Sequence, residues 1–170
     1  MIGKRIFYIA MMIGLNMSVI INPNQAKTTQ NKLIQVELMK QFLGTWKTEM
    51  AKDTTQIDEY AAFGNTVVGS IKNITKGKVL TSMKELWGYD PKNDKIVFAA
   101  VSESSPEISL WAYWFTSKTT CEGIPYQDLS NPGKALLKYR MEIKSPDVWV
   151  LKILQNNKEV AGLTFTRVKK

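Results

Sequence analysis

From Trp46 to Val168 the chain is a nearly unbroken succession of short segments that alternate apolar and polar side chains, separated by turn residues, with no helical period between them. A period of two is the signature of strands with one buried face, and turns this short join neighbours in space. Nine such segments can be read: 46–51, 56–63, 66–74, 79–89, 95–103, 108–116, 136–143, 148–155 and 160–168. The longest clean alternation, Val79 to Tyr89, sets Val79, Thr81, Met83, Glu85 and Trp87 on one face, and Asp90-Pro91-Lys92-Asn93-Asp94 ends it with strong turn chemistry. Ile108 to Thr116 is the most aromatic segment, with Trp111, Tyr113 and Phe115 on one face and Trp114 on the other. Ser117 to Lys134 shows no period and is interrupted by Gly123, Pro125, Asn131, Pro132 and Gly133, so it reads as a long loop.

Short connections favour an all-β, antiparallel up-and-down barrel of about 8–10 strands over a Greek-key sandwich, and closure removes the exposed edges of an open sheet. Ahead of the first strand, Leu33, Ile34, Leu38, Phe42 and Leu43 recur at helical spacing, and Gly44 is a natural terminator. A short N-terminal helix capping one end of the barrel is therefore expected.

The start carries Lys4 and Arg5 before the apolar run Ile6 to Ile21, which is shorter than the about 20 residues of a membrane span. This pattern predicts a secretory signal over residues 1–26, cut after Ala26, with an uncleaved anchor as the alternative. Residues 27–170 then form a single exported domain, periplasmic or secreted, without stable membrane insertion. A domain of roughly that size buries about 68–70% of its unfolded surface, so it holds a core without staples. The lone Cys121 fits that reading, as a buried small hydrophobe or as a thiol that pairs between chains.

Losing Lys4 and Arg5 takes the net charge from +8 to +6. The lysines are scattered singly apart from Arg167-Val168-Lys169-Lys170, which describes a solvated surface and not a nucleic-acid track. Histidine is absent. Ser-His and Cys-His nucleophile pairs, His-ligated zinc and proximal-His haem are excluded in their ordinary forms. No catalytic residues, cofactor or metal are implied.

Inward side chains decide between a filled core and a pocket. Trp87, Trp111, Tyr113 and Trp149 either line a ligand cavity or fill it. Glu59 and Glu85 each share a face with apolar neighbours: Ile57 and Ala61 for one, Met83 and Trp87 for the other. Inside a barrel, two carboxylates need a cation, a protonated partner or a ligand group; Arg140, by its parity, belongs outside. The alternative is that both glutamates lie on the wet face, because a one-residue slip inverts every assignment. The 117–134 segment, with Cys121 and Tyr126, is either a lid or a surface insertion.

Gly44-Thr45-Trp46 resembles the Gly-x-Trp signature that opens the first strand in the calycin superfamily of lipocalins, fatty-acid-binding proteins and nitrobindin-like barrels. Arg167 matches the cationic residue on the last strand that closes over that tryptophan. The chain is similar to small exported bacterial lipocalin-like domains; the resemblance implies a non-catalytic barrel binding a small, largely apolar ligand. The axial histidine of nitrobindin-like proteins has no counterpart here, so haem is not carried over, nor are the paired cysteines of many secreted lipocalins present. Two other readings stay open: a protein-interaction or structural module of the cell envelope, and an enzyme built on converging carboxylates.

Overall fold

The computed structural model describes residues 35–169. The expected signal segment, its cleavage site, and Leu33 and Ile34 lie outside the described residues. A short helix, α1, covers residues 35–42, its last turn Lys40–Phe42 tightening to 3-10 geometry before Leu43 N–H closes on the Lys40 carbonyl at 3.1 Å. Ten strands follow: β1 Gly44–Ala51, β2 Thr54–Phe63, β3 Thr66–Thr75, β4 Lys78–Asp90, β5 Lys95–Ser102, β6 Ser105–Phe115, β7 Thr120–Pro125, β8 Leu137–Ser145, β9 Val148–Gln155 and β10 Lys158–Arg167. Each pairs antiparallel with its neighbours in sequence, and β1 pairs with β10, closing an up-and-down barrel.

The tenth strand is a correction. β7 lies inside the segment read from sequence as a loop. Its alternation is hidden because Gly123 and Pro125 occupy inward positions where apolar side chains usually mark the period. Gly123 is required there, since a Cβ would collide with the Tyr113 ring across the β6–β7 pair. The rest of the segment, with short 3-10 turns at Tyr126–Asp128 and Pro132–Lys134, folds over the outside of β6 and β7. There Tyr126 and Leu129 cover Trp114, Ala112 and Ile124. It is thus mainly an outer cover, with Gln127 reaching the barrel mouth.

One end of the barrel is sealed by α1. Met39 and Phe42 are fully buried, and Gln35 imitates a strand neighbour, its amide accepting from Phe115 N–H at 2.8 Å and donating to the Phe115 carbonyl at 3.0 Å. Trp46 donates its indole N–H to the Phe42 carbonyl at 2.7 Å. Across the closing seam, Arg167 pairs in register with Trp46 and holds its guanidinium 4.1 Å from the indole centroid. It also donates to the carbonyls of Leu43 (2.6 Å), Pro146 (2.9 Å) and Gln41 (3.4 Å). Gly44, at φ +120°, makes room, because any Cβ there would strike the guanidinium. One arginine thus ties together helix end, first strand and the turn between β8 and β9.

Above this floor the core is a stack of rings: Trp149 lies on Phe165 at 3.9 Å, Trp87 on Tyr113 at 6.0 Å and Trp111 on Tyr139 at 4.2 Å. Such offset and edge contacts add about 0.5–1.5 kcal/mol per pair beyond the area that they bury.

Candidate functional site

Between the aromatic floor and the opposite end, the barrel encloses a cavity of about 660 Å³. Its mouth lies where the β5–β6 hairpin supplies Ser102, Ser105 and Glu107, β2 supplies Gln56 and the segment after β7 supplies Gln127. Of the residues singled out from sequence, Glu85, Trp87, Trp111, Tyr113 and Trp149 all line this space. The four aromatics are at most 9% exposed, so each both packs in the core and walls the cavity.

Glu59 does not join them. It is exposed on the outer face, and β2 turns Gln56, Asp58 and Tyr60 inward instead. The cause is cross-strand register. Trp46 faces the interior, Asp58 sits directly opposite it and Tyr60 opposite Gly44, so the even positions of β2 share the inner face with Trp46. A bulge between Glu49 and Ala51 separates that pairing from any count carried around the turn. Within β2 alone the pattern points the other way, because Glu59 has Ile57, Ala61 and Phe63 on its face whereas Asp58 shares its own with Gln56 and Tyr60. Asp58 and Tyr60 are the site residues that sequence reasoning missed. The signal that finds them is the inward Trp46 combined with antiparallel pairing. Arg140 lies outside as expected, joined to Glu122 at 3.0 Å.

Asp58 and Glu85 form the polar wall. Asp58, 2% exposed, accepts from Gln56 Nε2 at 2.8 Å and from the Tyr60 hydroxyl at 3.4 Å. Glu85 accepts from Trp87 Nε1 at 3.1 Å. The two acids are brought together over β3: Tyr60, Gly69 and Glu85 form one cross-strand row, and Gly69 lets the tyrosine ring lie flat where a Cβ would press on it at 2.8 Å. Burial pushes the Glu85 carboxyl up to about 7, and the negative charge of Asp58 adds to the rise against the indole hydrogen bond. Burial likewise pushes Asp58 up to about 6, opposed by its bonds from Gln56 and Tyr60. Tyr60, buried beside both acids, is held well above the usual phenol range.

The opposite wall is apolar, with Met141, Leu151, Trp149 and Phe165. Trp46, Trp87 and Trp111 each donate their indole N–H to a protein acceptor, whereas Trp149 Nε1 is buried without one among the described residues. Among the described residues, no cluster of three or more metal-ligating side chains occurs. No protein-family model and no curated protein matches the chain.

Proposed function

We propose that this protein is an exported, calycin-like barrel that binds a small, largely apolar molecule in its interior without catalysing its conversion. The cavity of about 660 Å³ carries this reading: a barrel serving only as a scaffold gains by packing its interior solid, and unfilled volume costs stability. The Gly44-Thr45-Trp46 and Arg167 arrangement supports the calycin assignment, because the indole, guanidinium and helix end lock together as the resemblance implies. The test is native mass spectrometry of protein purified from its own source, compared with its denatured mass, alongside titration with the neutral fluorophore N-phenyl-1-naphthylamine. A retained extra mass or saturable probe binding, abolished by the cavity-filling Ala100→Phe, supports the reading. A clean apo mass with no probe binding refutes it. The denatured mass also reports whether the chain begins after Ala26, as export predicts.

A second reading, a protein-interaction module, is favoured by one surface feature. Ala61, Val68, Leu86, Ala99 and Leu110 follow one another in register across the outer face of β2 to β6, with Leu86 51% and neighbouring Phe63 72% exposed. A row of this kind marks a contact surface. Under this reading, Leu86→Lys abolishes capture of an envelope partner while leaving probe binding intact; unchanged capture refutes it.

A further inference from the structure

The charges of this protein are sorted. Basic residues outnumber acidic ones, 23 to 15, yet among the described residues the cavity wall contains Asp58, Glu85 and, at the mouth, Glu107, with no lysine or arginine, and the chain has no histidine. Chance placement would favour the opposite sign. Among the described residues the side chains that reach Asp58 and Glu85 are neutral donors, Gln56, Tyr60 and Trp87, and no cation among those residues offsets the two buried carboxyls.

We propose that Asp58 and Glu85 seat the ammonium group of the ligand, which makes the natural ligand a hydrophobic organic amine. This rests on the cavity-binding reading and names the chemical class that the cavity selects. A bound ammonium supplies the missing counter-charge, so the desolvation that penalises the empty pair becomes a gain on binding. The Tyr60 and Trp87 rings, 5.4 Å apart and inclined at 66°, lie beside the two acids and add cation–π attraction. A carboxylate ligand, by contrast, brings another negative charge into a cavity that has no base to meet it. A metal ion is disfavoured because two carboxylates among aromatic rings fall short of the six to eight oxygens that calcium takes.

A second observation independently points to an occupant. Trp149, on β9, stands opposite β4 in the ten-strand ring, lines the same cavity, is 4% exposed and leaves its indole N–H without an acceptor. A ligand body bearing an acceptor at that wall satisfies it. The geometry therefore describes a molecule with its amine at β2–β4 and its apolar body, with an acceptor, toward β9.

The test compares three probes with one chain and different heads, dodecylamine, dodecanol and dodecanoic acid, by calorimetry at about pH 8, where the amine is protonated and the acid ionised. The expected result is that dodecylammonium binds at least about tenfold more tightly than either of the others, a ratio in keeping with a partly desolvated charge pair. The near-isosteric double variant Asp58→Asn, Glu85→Gln removes that preference while retaining dodecanol binding, which also shows that it is folded. Equal binding of the three probes, or tightest binding of dodecanoate, overturns the amine assignment and leaves the cavity-binding reading standing. Failure of all three together with N-phenyl-1-naphthylamine overturns both. If that neutral fluorophore binds and none of the three does, the amine assignment alone falls.

Discussion

Replacing Glu85 with glutamine is expected to stabilise the protein at neutral and alkaline pH and to leave it nearly unchanged in mild acid. The Glu85 carboxyl is raised in the fold from 4.5 to about 7, chiefly by burial. Below the unfolded value both states hold the proton. Between the two values the folded state binds more protons than the unfolded chain, so stability falls as pH rises and the contribution is lost once the folded value is passed. At about 1.4 kcal/mol per pH unit, the displacement corresponds to about 3 kcal/mol lost between about pH 4 and pH 8. Asp58, raised from 3.8 to about 6, acts with the same sign in a window about one unit lower. Carboxylates held below their usual range by exposed hydrogen bonds, such as Glu142 with Lys144 and Lys152, act with the opposite sign and only under more acidic conditions. The windows therefore separate. Glutamine preserves an acceptor for Trp87 Nε1, so the substitution removes the charge without orphaning the indole. Urea denaturation followed by tryptophan fluorescence at about pH 4 and pH 8 reads the effect, with Glu85→Gln more stable than wild type by about 2–3 kcal/mol at pH 8 and within about 0.5 kcal/mol at pH 4. Equal pH dependence in the two proteins refutes the reasoning, and with it the claim that Glu85 is desolvated without a counter-charge.

Arg167→Lys keeps the charge but loses the planar fork that reaches three carbonyls over the Trp46 ring, and is expected to cost roughly 1–3 kcal/mol in thermal unfolding; an unchanged midpoint sinks the floor-clamp account. Gly123→Ala forces a methyl into the Tyr113 ring and is expected to destabilise by about 1–3 kcal/mol, with Tyr113→Leu in the same chain recovering most of the loss; additive effects in the double-mutant cycle argue against the clash. Cys121 is 1% exposed and burial raises its thiol well above the usual range, so an aromatic disulfide reagent is expected to modify it at the rate of unfolding, and fast stoichiometric labelling of native protein contradicts its position.

Much of the architecture is legible in the amino-acid order, because alternation and turn chemistry are local. Asn156 and Asn157 both adopt positive φ in a two-residue hairpin, as their residue types allow, and the segment from Val79 to Tyr89 is strand throughout. β7 escaped because its inward glycine and proline are chosen for what lies across from them: Gly123 carries no side chain because Tyr113 occupies the space.

The candidate site divides along the same line. Parity groups Glu85 with Trp87 on β4 and Trp111 with Tyr113 on β6, and parity is a property of the chain alone, whereas the meeting of the two pairs in one cavity is not. Nor is the identity of the second carboxylate. Whether Asp58 or Glu59 faces inward depends on β2 lying against β1 with Trp46 opposite Asp58, and an antiparallel partner can shift by one residue without any change in local propensity. The cavity itself, the meeting of two acids over Gly69 and the absence of a base among the lining residues are likewise products of closure. Nine of the ten strands, β2 to β10, contribute to the cavity wall, and only their joint register determines which side chains share the space that they enclose.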